Sequence, residues 1–518
     1  NTTGTDNVAV GANALDANTT ANNNTAIGDI ALTANTTGAD NTSVGASSLA
    51  ANTTGASNVA VGANALDANT TASNNTGIGA SALGANTTGG QNTGIGKNAL
   101  VQNTTGTNNT ALGFEALYTP TTANNNTGVG YRSLYANTTG AQNVAIGSTA
   151  LDANTTASNN TAMGYGALTA NTTGTRVVAV GMNALAANTT ANDNVAVGNN
   201  VLDANTTGTA NVGLGYFALS GNTTADNNTA LGHKALSENT TGHSNVAVGA
   251  NALDANTTAN NNTALGYAAM GANTTGALNT AVGANALDAN TTGSGNEAFG
   301  YGALGSNTTG SPNTAVGLSA MSSNTTGGSN VAVGYQALSA NTTASNNTAV
   351  GRDAGVGCTT GSNNTFLGYN SGSAGVGNVQ TSSNNVCIGD NNVTDAFIKV
   401  SFTTGSDRRD KTDITDFTHG LSWINKLNPV TYRWDNRSNY DNGIPDGSKK
   451  APRLNIGLIA QDELEVEKEH GFGDTSDNML ITHIDDGGNY GMQYDKLVPV
   501  LVNAIKELSA KVTALEAG

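Results

Sequence analysis

The pattern of apolar and polar positions repeats every 17 residues from Asn1 to Leu367. Each repeat is counted from the Asn of an Asn-Thr-Thr tripeptide. Position 10 is always apolar, and position 15 is leucine or, rarely, methionine. Positions 9 and 14 are small in almost every copy, and position 11 is glycine in all 22 copies. Since no insertion or deletion interrupts the period, it predicts a parallel β-solenoid with one coil per repeat.

Each coil is predicted to contain one clear strand, one weaker strand and one turn. Asn-Val-Ala-Val-Gly has strand composition, Ala-Leu-x-Ala is the weaker strand, and Asn-Thr-Thr-Gly carries turn residues. We expect the columns at positions 10 and 15 to stack inside the solenoid at ~4.8 Å spacing. The invariant glycine indicates a positive-φ corner or a backbone contact. The small residues permit close approach inside a thin coil or against another chain, and we expect three chains to share this small-residue face.

The Asn-Thr-Thr column allows several interpretations, of which we favour a turn ladder of stacked Asn and Thr side chains. Its Asn-x-Thr pattern is formally a glycosylation acceptor, but a glycan on every coil would crowd the solenoid. An ice-binding face is disfavoured, because adjacent threonines in a strand point to opposite sides. Calcium binding would need a complete aspartate column. Aspartates recur in only some copies, at Asp16, Asp67, Asp152, Asp203, Asp254 and Asp288.

The repeat pattern changes towards the end of the chain. Pro120 and Cys358 replace the Asn of the tripeptide, and Gly355 and Gly372 replace the leucine at position 15. The spacing is lost after Leu367, and both tryptophans and most Lys and Arg residues follow position 406. We therefore predict a solenoid shaft at 1–374, a degenerate repeat with a closing strand (397–402) at 375–405, and an α+β domain at 406–518.

Within the last segment, periodicity and turn signals predict several short elements. We expect a helix around 421–427, a strand at 429–434, a helix following residues 456–463, and strands at 479–484 and 491–494. A final helix at about 495–517 has apolar residues at spacings of mostly four and three, which is typical of a coiled-coil seam. A helix packed on its own domain is the alternative. The seam residues are Leu497, Leu501, Ile505, Leu508, Val512 and Leu515.

Composition restricts the classes of function. The 518 residues carry a net charge of −17, so we expect no nucleic-acid partner. No stretch reaches the ~20 apolar residues of a membrane span, and we expect a soluble chain without membrane insertion. Neither Cys358 nor Cys387 has metal-ligand spacing, so we expect no metal, no cofactor, and packed thiols rather than a disulfide. A chain that begins at Asn1 without an initiator methionine is expected to be a fragment or a processed product.

Three motifs in the last segment carry a resemblance to a known family. They are Ser406-Asp407-x-Arg409-x-Lys411-x-x-Ile414, Gly457-Leu458-Ile459-Ala460-Gln461, and Tyr494 through Leu497-x-Pro499 to Ala504-Ile505-Lys506-Glu507-Leu508. The segment resembles the C-terminal intramolecular chaperone of phage tail spikes and fibres, the endosialidase-type self-cleaving domain. The repeats, through their Asn-Val-Ala-Val-Gly core, resemble the head repeats of trimeric autotransporter adhesins.

The resemblance implies that the chaperone cuts itself from the fibre once a trimer has folded. Ser406 would be the nucleophile and Lys411 the base, as a serine peptidase that acts once in its own chain. A serine hydroxyl needs a base to take its proton, and a lysine can do so when burial or a nearby cation lowers its pKa. Attack on the preceding carbonyl favours cleavage between Gly405 and Ser406, while cleavage between Ser406 and Asp407 stays open.

The sequence therefore predicts a homotrimeric fibre or spike shaft, located on a virion as a tail fibre, with a host receptor or glycan as a further partner. A cellular filament or adhesin at the cell surface, with the same chaperone, is the alternative. A glycan-cleaving spike is disfavoured, because the repeats contain no recurrent pair of carboxylates.

Overall fold

The computed structural model describes residues 1–373, 378–390, 392–393, 395–399 and 404–518. The chain divides into two compact units, Asn1–Tyr301 and Gly302–Gly518. The first unit contains repeats alone, and the second contains the last repeats together with the C-terminal domain.

The first unit is built from short parallel strands, one per repeat. Each strand pairs with the strand 17 residues further along the chain, so that Val8 lies opposite Thr25 and Thr25 opposite Thr42. The predicted parallel β-solenoid with 17-residue coils is confirmed. The strands are β1 (Val8–Val10), β2 (Thr25–Ile27), β3 (Thr42–Val44), β4 (Val59–Val61), β5 (Thr76–Ile78), β6 (Thr93–Ile95), β7 (Thr110–Leu112), β8 (Thr127–Val129), β9 (Val144–Ile146), β10 (Thr161–Met163), β11 (Val178–Val180), β12 (Val195–Val197), β13 (Val212–Leu214), β14 (Thr229–Leu231), β15 (Val246–Val248), β16 (Thr263–Leu265), β17 (Thr280–Val282) and β18 (Glu297–Phe299).

The core of each coil differs from the predicted core at position 10. The central residue of each strand, at position 9, points inward, and Ala26 and Ala60 are completely buried. Side chains alternate along a strand, so positions 8 and 10 point outward, and Val10 and Ile27 are 56% and 39% exposed. The prediction that position 10 stacks inside was wrong, because a three-residue strand turns only its middle side chain to the core.

The leucine column at position 15 does form the internal stack, and Leu32, Leu49 and Leu66 are completely buried. This leucine packs against position 9, since a Cβ added to Gly77 would lie 3.3 Å from the Leu66 side chain. Positions 9 and 14 are therefore small because leucine fills a narrow coil. They are buried within one chain, so the prediction that three chains share this small-residue face was wrong.

The Ala-Leu-x-Ala segment forms a turn instead of the weaker strand predicted for it. Positions 13 and 15 have positive φ, as at Asn13 and Leu15, where φ is 55°. Neighbouring coils still pair here, because the Leu15 N–H donates to the Ala31 carbonyl at 3.0 Å. A left-handed leucine costs about 1–2 kcal/mol, which burial of its side chain, at about 1.5–3 kcal/mol, offsets.

The invariant glycine at position 11 follows each strand, and it combines the predicted positive φ with the predicted backbone contact. At Gly28, φ is +137°, and an added Cβ would lie 2.5 Å from the Gly45 carbonyl oxygen. A residue with a side chain would therefore be strained by its own backbone and would also push the next coil away.

Two columns of asparagine run inside the coils, at positions 1 and 7. The Asn35 Nδ2 donates to Asn18 Oδ1 in the preceding coil at 3.2 Å and to the Gly38 carbonyl at 2.9 Å. At position 7, Asn41 Nδ2 donates to Asn24 Oδ1 at 3.2 Å. The expected ladder exists, and both Asn35 and Asn41 are completely buried. A folded coil therefore does not present the Asn of its Asn-Thr-Thr tripeptide for glycosylation.

The second unit continues the strand pattern and extends it by one coil beyond the predicted array. Its parallel strands are β19 (Asn313–Val316), β20 (Asn330–Val333), β21 (Thr348–Val350), β22 (Thr365–Leu367) and β23 (Val386–Ile388). β23 pairs with β22 at a step of 21 residues, with Thr365 opposite Val386. Four inserted residues therefore explain the loss of spacing. The predicted closing strand is not formed at 397–399, and its remainder, 400–402, lies outside the described residues.

The part of the second unit that follows the solenoid is a small domain of helices and short strands, as the predicted fold class states. Its strands form two separate antiparallel pairs, with Val430 opposite Gly457 and Thr482 opposite Met492. The predicted elements all have counterparts with shorter bounds, and β25 is an addition. The elements are α1 (Leu421–Ile424), β24 (Val430–Tyr432), β25 (Asn455–Gly457), α2 (Ala460–Glu469), β26 (Thr482–Ile484), β27 (Tyr490–Met492) and α3 (Leu497–Ala517), with 3-10 turns at Arg408–Asp410, Arg437–Asn439, Ser476–Asn478 and Tyr494–Lys496.

The core of this domain is centred on Trp423, which is completely buried among apolar side chains that include Ile481 and Val500. The start of α3 packs on its own domain through Leu497 and Val500, as in the alternative considered above. No described helix combines the length and the apolar character needed to cross a bilayer. The rest of the predicted seam is 44–81% exposed in the single chain, at Leu501, Ile505, Leu508, Val512 and Leu515.

Candidate functional site

A tight turn brings the two predicted catalytic residues together. The 3-10 turn Arg408–Asp410 is capped by Asp407, whose Oδ1 accepts from the Arg409 N–H at 2.9 Å. Because this turn reverses the chain, Lys411 returns towards Ser406, and its Nζ lies 2.6 Å from the serine Oγ. A base within hydrogen-bond distance of a hydroxyl is the geometry that proton abstraction needs.

Two of the neighbouring charges, Asp407 and Arg409, pair with each other and not with the lysine. Arg409 Nη2 lies 2.5 Å from Asp407 Oδ2. Hydrogen bonds from the Arg409 side chain and backbone hold the pKa of Asp407 below its ordinary value. Asp407 therefore remains an anion engaged by Arg409, and Lys411 is directed to Ser406.

The site is open to water in the single chain. All residues from Thr404 to Asp416 are exposed. A Cβ added at Gly405 would find no atom within 4 Å, so space alone does not require glycine there. The bonds on both sides of Ser406 are accessible. A lysine acts as a base most readily where burial disfavours its charged form, and this single chain provides no such cover among its described residues.

The other two motifs hold the domain together. A Cβ added at Gly457 would lie 2.7 Å from the Tyr494 hydroxyl oxygen, and that oxygen accepts from the Leu458 N–H at 2.8 Å. The third motif supplies Glu507, whose Oε2 accepts from the Leu421 N–H at 3.0 Å and so caps α1. These bonds join strands and helices of the domain, and none of them involves Ser406 or Lys411.

Two buried glutamates of α2 were missed by the sequence analysis. Glu467 is completely buried and accepts from the N–H groups of Ile481 at 2.9 Å and Thr482 at 2.7 Å, which fixes α2 to β26. Glu463 Oε1 accepts from Trp423 Nε1 at 2.8 Å, and burial raises the pKa of Glu463 to about 7. Their four-residue spacing, on one face of a helix, was the signal available.

The two cysteines are thiols and not a disulfide pair, as expected. Cys358 is completely buried at position 1 of its coil. Burial raises the pKa of its thiol to about 11, so it behaves as a packing residue and not as a nucleophile.

Residues 406–472 match the protein-family model described as the chaperone of endosialidase. The match begins at Ser406 and includes Lys411 and the Gly457–Gln461 motif, whereas α3 lies beyond it. Comparisons with curated proteins and with solved structures gave no match. The matched segment is therefore similar to the chaperone of endosialidase and follows a β-solenoid, a combination consistent with a tail-spike or fibre-type protein.

Proposed function

We propose that this chain is the shaft of a homotrimeric fibre or spike, folded by a C-terminal chaperone that releases itself by cutting at Ser406. The observation that carries the proposal is the 2.6 Å hydrogen bond from Lys411 Nζ to Ser406 Oγ. This pair stands at the first residues of the matched chaperone domain, directly after the segment that follows the solenoid. A nucleophile and a base at this junction are what a self-releasing chaperone requires.

The proposed cut runs through the Ser406 hydroxyl. Lys411, as a neutral amine, takes the hydroxyl proton while Oγ attacks the carbonyl carbon of Gly405. The bond from that carbon to the Ser406 nitrogen then breaks, and the nitrogen receives the proton. Water hydrolyses the resulting ester to a Gly405 carboxylate and restores the serine hydroxyl. Attack on the serine's own carbonyl would close a smaller, strained ring, so we propose the Gly405–Ser406 bond over Ser406–Asp407.

Assembly would control this reaction. The dyad is exposed in one chain, and the apolar seam of α3 is exposed as well. We propose that pairing of three α3 helices through this seam brings neighbouring protomers over the dyad and desolvates the lysine. Cleavage would then follow trimer formation, and the released fibre would be kinetically trapped in its folded state.

On a virion, the shaft would serve as a tail fibre that contacts a host receptor or glycan. Tyrosines at position 12 of several coils support this role, because Tyr165, Tyr267 and Tyr301 are 62%, 58% and 59% exposed. Exposed aromatic side chains are enriched where proteins bind partners.

The test is the intact mass of the purified chain under denaturing conditions. We expect the wild type to yield a fragment ending at Gly405, and Ser406→Ala and Lys411→Ala to remain whole. Lys450→Ala, which changes another exposed lysine of the same domain, is the matched control and should cut normally. A wild-type trimer that stays whole, or a Lys411→Ala variant that cuts at the wild-type rate, would contradict the proposed function.

A further inference from the structure

The hydrogen bonds between coils leave a defined set of donors at the end of the array. The N–H group at position 2 of a coil donates to the carbonyl oxygen at position 2 of the next coil. In the coil that contains β22, three N–H groups converge on one such oxygen. Thr359, Thr360 and Gly361 donate to the Gln380 carbonyl at 2.8, 3.3 and 3.4 Å.

The next coil, residues 379–389, is the last one among the described residues, and its equivalent N–H groups have a different acceptor. Gln380, Thr381 and Ser382 donate to Oδ2 of Asp486 at 3.2, 2.9 and 2.7 Å. One carboxylate oxygen of the C-terminal domain therefore occupies the place that a carbonyl oxygen of a following coil would take.

The turn between β26 and β27 is built to present this carboxylate. Asp485 Oδ1 accepts from the N–H groups of Gly487 and Asn489, both at 2.9 Å, which folds the turn. Asp485 Oδ2 also accepts from the Asn378 N–H at 3.0 Å. A Cβ added at Gly487 would lie 2.8 Å from Asn378 Nδ2, so the turn backbone lies directly against the residue that precedes the last coil.

The electrostatics agree with an anion held by backbone donors. Burial acts to raise the pKa of Asp486, but the N–H groups of Thr381, Ser382 and Gln380 outweigh it and hold that pKa below its ordinary value. Hydrogen bonds to an ionised acceptor are about twice as strong as neutral ones. Asp486 therefore binds the coil edge as a charged group at neutral pH.

We propose that the Asp485–Gly488 turn is a cap for the end of the solenoid, with Asp486 in the place that the carbonyl oxygen of a following coil would take. An exposed β edge is a template for pairing with other chains, and the cap closes part of that edge. The inference extends the proposed chaperone role, on which it rests, by naming the contact through which the domain recognises a completed coil. The three shorter bonds come from backbone N–H groups, and Thr381 Oγ1 adds a longer one at 3.4 Å. The cap therefore recognises mainly the conformation of the coil.

The test is hydrogen–deuterium exchange of the full chain, followed by mass spectrometry. All variants carry Ser406→Ala, so that cleavage cannot remove the domain. In Asp486→Ala, we expect peptides covering 379–383 to exchange about tenfold faster or more, since a hydrogen bond to a charged group is strong enough to support that change. Asp477→Ala, at another exposed carboxylate of the domain, should leave these peptides unchanged. Unchanged exchange at 379–383 in Asp486→Ala would overturn the cap.

Asp486→Asn provides a milder variant if the alanine variant does not fold. It keeps an acceptor oxygen without the charge, and an intermediate acceleration at 379–383 is expected. Wild-type exchange rates in Asp486→Asn would overturn the proposal. Cleavage is scored separately in chains that retain Ser406, so a chain that fails to cut yet keeps the protected edge counts against the dyad and not against the cap.

Discussion

Pro120 interrupts the buried asparagine column at position 1, and restoring that column tests what holds the coils together. In an intact coil, Asn154 Nδ2 donates to Asn137 Oδ1 at 2.9 Å and to the Ala157 carbonyl at 3.1 Å, while its backbone N–H bonds to position 15. Proline has none of these donors. Accordingly, Asn103 Oδ1 in the preceding coil is buried without a partner among the described residues.

We expect Pro120→Asn to stabilise this part of the solenoid. By analogy with intact coils, the new side chain would donate to Asn103 Oδ1 and to the Ala123 carbonyl, and the new N–H to the Leu117 carbonyl. Each hydrogen bond contributes about 1 kcal/mol, and losing the proline restriction of the unfolded chain costs about 0.4–1 kcal/mol. The expected gain is about 2 kcal/mol, or about thirtyfold slower local exchange, since about 1.4 kcal/mol corresponds to a factor of ten.

Amide hydrogen exchange of residues 103–137 in the full chain is the suitable assay, because long repeat arrays do not unfold in a single two-state step. Asn154→Ala is the matched control, and it should change the exchange rate in the opposite direction. It creates at Asn137 the orphan oxygen that Asn103 now carries, and exchange around it should accelerate. Unchanged or faster exchange around residue 120 in Pro120→Asn would refute the reasoning, because the restored donors would then contribute nothing to coil pairing.

Three further predictions concern the glycine corner, the seam and the buried carboxyl. Gly232→Ala should accelerate amide exchange in its own and the next coil, because φ there is +142° and the new Cβ would lie 2.5 Å from a carbonyl oxygen. Gly357→Ala is the control, since a Cβ added there would find no atom within 4 Å. Equal acceleration in the two variants would contradict the argument. If the proposed trimer forms through the α3 seam, Ile505→Asp should sediment as a monomer, while Ala510→Asp, off the seam, should remain a trimer. A trimeric Ile505→Asp variant would exclude the seam. Burial raises the pKa of Glu463 to about 7. Between the ordinary carboxyl pKa and about 7, the folded domain therefore holds a proton that the unfolded chain releases. The free energy of unfolding should fall as pH rises through this range. Tryptophan fluorescence during unfolding measures this loss, and Glu463→Gln should abolish it; an identical pH dependence in that variant would refute the assignment.

The repeat fold could be predicted because its period and its leucine and glycine columns are visible in the sequence. The orientation of the strand could not be read from hydrophobicity, which placed the bulky position 10 inside. One local signal did exist. Phe366 stands at position 9 and is completely buried, and position 15 is glycine both in the preceding coil, at Gly355, and in its own coil, at Gly372. A Cβ at Gly355 would lie 2.7 Å from the phenylalanine ring. This exchange of large and small residues indicates that positions 9 and 15 share the core.

The candidate dyad could be named from the sequence only through its resemblance to a family, since one serine and one lysine carry no pattern of their own. Glu467 and Asp486 were not found, because their partners are largely backbone N–H groups. Glu463 was not found either, because its partner, Trp423 Nε1, lies 40 residues away in the sequence. A backbone N–H group is the same for almost every residue type, so such a partner cannot be recognised from the sequence. A contact of this kind becomes visible only when the coil edge and the turn are seen together.

A backbone cap has a consequence for how three identical repeat chains could align. Asp486 binds N–H groups that any coil would present at its end, so the cap can mark where a solenoid ends but cannot distinguish one coil from the next. Alignment among chains must then come from a feature that occurs once per chain. The α3 seam is such a feature, because its apolar residues are exposed and do not repeat. On this reasoning, disrupting the seam should give separate chains whose ends are still capped, whereas removing Asp486 should give aligned trimers whose last coil frays.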